Sequence, residues 1–177
     1  MIIGNRVEAV VTVCHRWRFA ACALLVLTSR AWGAAPLVPD LAKVPTLVVQ
    51  ETNDLRRENG RSQLERDAKL EEAARDFARY LARTGRFDHD ADGRTPGARA
   101  RSQGYKWCFI AENIAYQYDS RGYATEALAR QLLEGWKKSA GHRKNLLARE
   151  ATQTAVAVAR SEKTGYYYAV QLFGRPC

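Results

Sequence analysis

Three stretches of the chain repeat their apolar residues with the period of an amphipathic helix. The first begins near Thr46 and ends at Asn59-Gly60, where glycine can take the left-handed conformation that closes a helix. The second runs from a capping Asp67 to about Arg83 with the spacing i, i+3, i+4, i+7. Its apolar positions are Leu70, Ala73, Ala74, Phe77, Ala78 and Leu81.

A third helix is predicted over about 124–138, and a shorter helical turn over 141–149. The third helix carries one apolar stripe, formed by Ala127, Leu128, Leu132 and Trp136. We interpret Trp136 as a core residue because it lies on this stripe.

The last part of the chain changes to the alternation of β-strands. Residues 153–160 and 166–173 predict an antiparallel hairpin around a turn at 162–165, and residues 110–116 predict a third strand. Helices followed by a small antiparallel sheet indicate the α+β class. Between about 88 and 107 the chain is rich in Gly, Arg and Asp without a clear period, which predicts a long functional or mobile loop.

The N-terminal region has the pattern of an export signal. Residues 19–29 form an uncharged apolar run of 11 residues, with basic residues before it and small residues after it. A membrane-spanning helix needs about 20 residues, so we predict a signal peptide over 1–35, cleaved near 33–35. The alternative is an uncleaved N-terminal anchor. The rest of the chain reads as an extended lead-in over 36–45 and one domain over 46–177, secreted or periplasmic.

Charge and cysteine content refine this interpretation. The formal charge is +9, and it falls to +6 without the leader, which carries four arginines and one glutamate. This excess favours an anionic surface, but the basic residues are scattered among acids, so nucleic-acid binding is not expected. Without the leader, Cys108 and Cys177 remain. Two cysteines in an exported chain usually pair, although two free thiols remain the alternative.

Histidine is rare in the predicted mature chain, where only His89 and His142 occur. Each stands in a marked context, Phe87-Asp88-His89 and Gly141-His142-Arg143, and Glu112-Asn113 lies between them in sequence. Because histidine is rare and each of the two residues stands in a marked context, we predict that they belong to one site. From the residues alone, however, a histidine near a loop is more often a packing or capping residue than a ligand.

Several of these segments, in this order, resemble the CAP superfamily of cysteine-rich secretory, antigen 5 and pathogenesis-related proteins, also called the SCP domain. The resemblance covers about residues 46–176. Its motifs are Phe87-x-His89, Arg99 before Gly104-Tyr105, Glu112-Asn113-Ile114-Ala115, Trp136-x-x-Ser139-x-Gly141-His142-Arg143-x-Asn145 and Val170-Gln171-x-Phe173-Gly174. The combination typical of bacterial members is Glu112-Asn113-Ile114-Ala115, followed after about two dozen residues by Trp136-x-x-Ser139-x-Gly141-His142-Arg143. The resemblance implies an α-β-α sandwich around a three-stranded antiparallel sheet.

The resemblance also implies a cleft. In eukaryotic members two histidines and two glutamates line it, and some of them bind zinc. By motif, His89, Glu112 and His142 correspond to three of these residues, while Ser139 stands where the second glutamate would be. Two imidazoles and one carboxylate form a plausible zinc set with an open position. Alternatively, Glu112 accepts hydrogen bonds from one or both imidazoles and raises their pKa values.

The neighbours of these residues are expected to support the cleft. Asn113, Ser139 and Arg143 are assigned supporting roles, with Asn113 bonding to loop backbone. Arg99 and Arg143 are expected to form exposed ion pairs of little energetic consequence. In the run of tyrosines at 166–168, the middle ring is expected on one face of the sheet and its neighbours on the other.

These observations favour an exported, non-enzymatic binding module whose cleft recognises a small apolar, lipid-like or envelope-derived ligand or a partner protein. Zinc-dependent hydrolysis through His89, Glu112 and His142 is the first alternative. Against it, the sequence contains no Ser-His-Asp set, no His-Glu-x-x-His helix and no cysteine nucleophile. The second alternative is a non-catalytic scaffold, closed by a disulfide, in which the polar cluster only holds loops together.

Overall fold

The computed structural model describes residues 37–177 of the chain. The predicted signal peptide, with Cys14 and Cys22, lies outside these residues. The helices are α1 (Val44–Glu58), α2 (Ala68–Thr84), α3 (Pro96–Ser102), α4 (Thr125–Lys138) and α5 (Ala140–Leu146). The strands are β1 (Glu65–Arg66), β2 (Trp107–Gln117), β3 (Gln153–Arg160) and β4 (Tyr167–Pro176). No helix within residues 37–177 is long and apolar enough to cross a bilayer.

The predicted hairpin and third strand form most of one sheet, with the order β1-β3-β4-β2. Strands β3 and β4 are antiparallel, and β2 pairs antiparallel with β4 so that Glu112 lies opposite Leu172. The sheet has four strands, whereas the sequence predicts three. The additional strand, β1, pairs parallel with the start of β3. With only two exposed residues, β1 has no apolar alternation from which it could be predicted.

Helices cover both faces of this sheet, which gives the α-β-α sandwich. On one face, α1 and α4 pack over Val156, Ala169 and Phe173, and Trp136 is buried there as predicted. On the other face, α2 packs over Ile114, Val170 and Leu172. The side chains of β4 alternate between these two cores, as the pleat of a strand requires. The fold is therefore of the α+β class.

Among the helices, α2 agrees most closely with the prediction from the sequence. The Asp67 carboxylate accepts hydrogen bonds from the backbone N–H groups of Lys69 and Leu70, and Gly85 ends the helix with φ of 71°. Helix α1 begins two residues earlier than predicted, at Val44, because Pro45 fits the first turn of a helix, where no N–H partner is needed. All six predicted apolar positions of α2 are buried.

Two other elements correct the sequence prediction. The region 88–107 contains helix α3, in which Thr95 Oγ1 accepts from the Ala98 N–H and Pro96 occupies the first turn. In α4, Ala127 is exposed, and the apolar stripe passes instead through Ala129 and Leu133. Both differences arise because short or alanine-rich segments give weak periodicity.

Buried Arg56 connects helix α1 to the end of α5 without a carboxylate partner. Its guanidinium donates to the carbonyl oxygens of Leu146 and Ala148 at 2.8 and 3.0 Å, and its Nε donates to Ser62 O at 2.8 Å. Burial lowers the pKa of Arg56. This contact holds the end of α5, the helix that carries His142.

The predicted disulfide joins Cys108 and Cys177, whose Cα atoms are 4.8 Å apart. Next to it, the backbone N–H of Cys177 donates to Lys106 O at 3.2 Å. The bridge therefore fixes the C-terminal residue to the start of β2, the strand that carries Glu112.

Replacing both bridge cysteines, as in Cys108→Ser/Cys177→Ser, should lower the free energy of unfolding by about 4 kcal/mol on the chain-entropy model. The physical reason is the sequence separation of 69 residues, which leaves a large loop open in the unfolded chain. Urea unfolding of wild type and variant, each with and without reductant, measures the difference. Reductant should destabilise only the wild type; two alkylatable thiols in the unreduced protein would contradict the prediction.

Candidate functional site

Glu112 is the buried centre of the site. It lies in β2, the strand at one edge of the sheet, and its side chain is 1% exposed. One carboxylate oxygen accepts a hydrogen bond from His89 Nδ1 at 2.8 Å, and the other accepts from Arg99 Nη2 at 2.7 Å. Both oxygens of Glu112 are therefore engaged by cationic or ionisable partners.

Arg99, in helix α3, is the second buried member of the site. Its side chain is also 1% exposed, and Nη1 donates to Asp92 Oδ1 at 2.9 Å and to Arg94 O at 2.6 Å. Nη2 donates to His89 O at 2.9 Å as well as to Glu112. The guanidinium lies 3.5 Å from the centre of the Phe77 ring in a cation–π contact. Arg99 thus holds the segment before α3 against β2.

This geometry corrects the expectation that Arg99 forms an exposed pair of little consequence. A buried pair behaves differently from a surface pair, because removing one partner leaves the other charge without solvent or a counter-ion. Arg143, by contrast, makes no side-chain hydrogen bond or ion pair within residues 37–177, and it is partly exposed. Its supporting role stays a prediction.

His142 lies on helix α5, which packs against β2. Its backbone oxygen accepts from Asn113 Nδ2 at 3.2 Å, so Asn113 bonds to backbone as predicted. Asn145 Nδ2 donates to Asn113 Oδ1 at 2.9 Å and to Glu112 O at 3.2 Å. These amides join α5 to β2. Ser139 precedes α5 but makes no capping hydrogen bond with its side chain.

The three predicted cleft residues are therefore held by different means. His89 and Glu112 are in direct contact, whereas His142 is joined to the strand through its backbone and not through its ring. The two rings still influence each other, because the charge of His89 lowers the pKa of His142. The His89 side chain is 49% exposed. Its ring therefore remains accessible while Glu112 is covered.

The two imidazoles titrate in opposite directions. The hydrogen bond to Glu112 is the main cause that raises the pKa of His89, and the nearby carboxylates add to it against the effect of burial. Burial, together with the charge of His89, lowers the pKa of His142. The predicted rise therefore holds for His89 and is wrong for His142, because within residues 37–177 Glu112 accepts a hydrogen bond from the His89 ring and not from the His142 ring.

The donor set does not fit the three-ligand zinc site that the resemblance implies. Both Glu112 oxygens are committed to other partners, and Ser139 offers a hydroxyl where a second carboxylate would be needed. Within residues 37–177, no group of three or more His, Cys, Asp and Glu side chains is arranged to hold a metal ion. Zinc coordination through the oxygen that faces Arg99 would weaken a buried ion pair, and coordination through the other oxygen would compete with the hydrogen bond to His89.

Sequence reasoning did not identify two supporting residues as parts of the site, Asp92 and Asn145. Hydrogen bonds from Arg94 and the positive charges of Arg99 and Arg94 lower the pKa of Asp92 against the opposing effect of burial. Asn145 stands in the motif that carries the resemblance, so its position was a usable signal. Asp92 lies among several aspartates in a segment without periodicity, so the sequence offered none.

Replacing Arg99 with leucine should lower the free energy of unfolding by about 3–5 kcal/mol, because it removes a buried charge and leaves Glu112 with only His89, and Asp92 with only Arg94, as an ionisable partner. The matched control is Arg57→Ala, which removes an exposed pair with Asp54 and should cost about 0–1 kcal/mol. Chemical unfolding of both variants measures the two losses. Equal losses would show that Arg99 contributes no more than a surface residue.

The two histidines should titrate on opposite sides of pH 6.5, with His89 higher, in an NMR titration of their ring signals. The raised pKa of His89 adds stability below about 6.5 that is lost as the pH rises through its folded value. The lowered pKa of His142 has the opposite sign, and its contribution is lost as the pH falls from about 6.5 through its folded value. Glu112→Gln should lower the His89 midpoint; an unchanged midpoint would disprove the role of the hydrogen bond.

Solved structures with the same fold come from several bacteria. An outer surface protein from Borrelia burgdorferi is 20% identical with a TM-score of 0.65, covering 75% of this chain and 92% of that one. An extracellular protein with an SCP domain from Bacillus anthracis is 27% identical with a TM-score of 0.64, covering 80% and 45%. A cysteine-rich secretory protein from Staphylococcus aureus is 18% identical with a TM-score of 0.60, covering 77% and 40%.

The chain therefore spans less than half of the Bacillus and Staphylococcus proteins. At 20% and 18% identity, the Borrelia and Staphylococcus structures establish the fold alone. No curated protein matches the sequence. The sequence model of the CAP family, the cysteine-rich secretory protein family, matches residues 49–173. With most of the chain matched, and with the fold and the motif residues in place, this protein belongs to the CAP family.

Proposed function

We propose that this protein is an exported binding module whose cleft, formed by His89, Glu112 and His142, recognises an anionic ligand derived from the cell envelope. The observation that carries the proposal is the double engagement of Glu112 by His89 and Arg99. Because both oxygens accept hydrogen bonds and the side chain is 1% exposed, the carboxylate orients His89 and is covered from solvent. The ring of His89, and not the carboxylate of Glu112, is exposed to solvent.

The charge of that imidazole supports an anionic ligand. The bond from Nδ1 to Glu112 leaves Nε2 as the ring nitrogen that can meet a ligand, and the raised pKa favours the protonated ring, in which Nε2 donates. A charge-assisted hydrogen bond to a phosphate or carboxylate is stronger than a neutral one. The formal charge of +6 for residues 36–177 adds long-range attraction. A purely apolar ligand would leave Nε2 of this ring without a hydrogen-bond partner.

Export is supported by several observations. The sequence has the pattern of a signal peptide, and Cys108 and Cys177 form a disulfide of the kind that oxidising compartments preserve. The Borrelia relative is an outer surface protein, and the Bacillus relative is an extracellular protein. A secreted or periplasmic location therefore accompanies the proposed function.

Zinc-dependent hydrolysis has less support, because its metal would need the Glu112 oxygen that bonds to His89 or Arg99. Calorimetry with ZnCl₂ on wild type and His89→Ala separates this alternative. Heat at micromolar metal that disappears in the variant would favour it, and its absence in the wild type would exclude it. The scaffold alternative draws on the same hydrogen bonds, which also hold the segment before α3 and helix α5 against β2. It requires that His142→Ala lowers stability and leaves binding unchanged.

Soluble dihexanoyl phosphatidylglycerol and muramyl dipeptide, which offer a phosphate and a carboxylate, should shift the ring signals of His89 and His142 in NMR titrations of the mature domain. Binding should weaken as the pH rises through the His89 midpoint measured in the free protein, because His89 loses its proton. His89→Ala should weaken binding at least tenfold, a difference of about 1.4 kcal/mol, while the exposed-surface control Arg57→Ala should not. If millimolar concentrations of both probes leave the ring signals of the wild type unchanged, the proposed function is wrong.

A further inference from the structure

The exposed large hydrophobic side chains of residues 37–177 all lie on one surface outside the cleft. They are Leu37, Val38, Phe87, Tyr116 and Tyr118, with exposures from 40% to 84%. Scattered exposed apolar residues need no explanation, but their concentration on one surface indicates an interaction site. This surface has two adjoining parts, a row of rings and a groove.

The row of rings, here called the aromatic strip, consists of Phe87, Tyr116, Tyr166 and Tyr118. Phe87 meets Tyr116 edge to face with ring centres 4.8 Å apart, and Tyr116 stacks on Tyr166 at 5.7 Å with an angle of 11°. Tyr118 follows at 5.0 Å from Tyr166. As predicted, Tyr166 and Tyr168 lie on this face of the sheet while Tyr167 packs against Tyr123 on the other. Mutual ring contacts fix the strip without burying it.

The groove begins at Tyr118, where the strip ends. It has a volume of about 660 Å³, within the range of small-ligand sites. Leu37 and Val38 contribute apolar walls, while Ser120 and Thr164 contribute hydroxyl groups. Gly122 lets the chain approach Leu37 closely, since a Cβ there would lie 1.9 Å from Leu37 O. The groove is therefore a built feature of the fold and combines aromatic, aliphatic and hydroxyl surfaces.

The charges of the groove cancel. Asp119 pairs with Arg121 at 3.0 Å, and Arg160 lies 3.7 Å from Glu162. The Arg160 guanidinium makes no hydrogen bond within residues 37–177, so its N–H groups are free to meet a ligand. An anionic membrane surface would favour an excess of basic residues. The balance found here favours an uncharged ligand rich in hydroxyl groups.

We propose that the aromatic strip and the adjoining groove form a binding site for an uncharged saccharide chain. The C–H faces of pyranose rings pack against aromatic rings, whose faces carry negative charge density, and tyrosine is amphipathic enough to remain exposed for this purpose. Sugar hydroxyls then bond to Ser120, Thr164, Asp119 and Arg160 in the groove. The site is separate from the cleft and does not depend on the ligand proposed for His89.

N-acetylchitotetraose, cellotetraose and maltotetraose should be titrated into the mature domain and followed by backbone NMR shifts and calorimetry. At least one should bind saturably and shift residues of the strip and groove. Tyr116→Ala and Tyr118→Ala should each weaken binding roughly three- to tenfold, the range expected for one aromatic contact. Tyr118→Phe keeps the ring and should retain affinity within about twofold. Arg57→Ala, at an exposed position of α1, is the surface control.

Melting curves of all variants establish that they remain folded, which is expected because Tyr116 and Tyr118 are about half exposed. Binding that survives both alanine substitutions would overturn the proposal, as would the failure of all three oligosaccharides to bind the wild type at millimolar concentration. Phosphatidylcholine vesicles, with and without phosphatidylglycerol, provide the competing outcome. Vesicle binding that requires Tyr118 in the absence of saccharide binding would identify a lipid surface instead and refute the saccharide site.

Discussion

The ion pair between Arg99 and Glu112 is the interaction on which the site depends. A carboxylate buried in an edge strand needs partners that replace water, and Arg99 supplies one N–H group with a full charge. The other terminal N–H groups of Arg99 bond to Asp92 and to the carbonyl oxygens of His89 and Arg94, while its buried Nε has no hydrogen-bond partner within residues 37–177. A segment without regular structure thereby acquires a fixed path. The bond from Arg99 to the backbone oxygen of His89 fixes the position of His89, and the bond from its ring to Glu112 fixes the orientation of the ring.

This arrangement makes the two histidines chemically unequal. Glu112 bonds to the ring of His89 and not to that of His142, so the pKa of His89 rises while burial and the charge of His89 lower that of His142. The protonated form is therefore favoured at His89 and disfavoured at His142. A symmetric pair of metal-binding imidazoles would need both rings neutral and similarly oriented. The inequality follows from the position of His89, whose backbone oxygen accepts a hydrogen bond from Arg99.

The sequence predicts the elements whose signals are local and misses those that depend on distant partners. Helix α2 has a capping aspartate, a strict apolar period and a terminal glycine. The hairpin combines alternation in β3, a content of tyrosine, valine and phenylalanine in β4 and turn residues between them, so both elements were predicted. Strand β1 is too short to alternate, and α3 is hidden in an Arg- and Gly-rich segment. The motif residues of the site were found through resemblance. The burial of Arg99 was not, because an arginine in a polar segment is normally exposed and only the folded structure shows that it is covered.

Strand β2 also explains why the buried polar cluster around Glu112 and the aromatic strip occur on the same molecule. Glu112, Ile114 and Tyr116 alternate onto one face of the sheet, and α2 and α3 cover the first two but not the third. Helix α2 ends at Thr84, and Gly85 turns the chain beside Tyr168, so that Phe87 closes over Tyr116 while leaving it half exposed. Two residues later in the same segment, His89 bonds to Glu112. The length of one helix therefore decides where the buried polar cluster stops and where exposed aromatic rings begin.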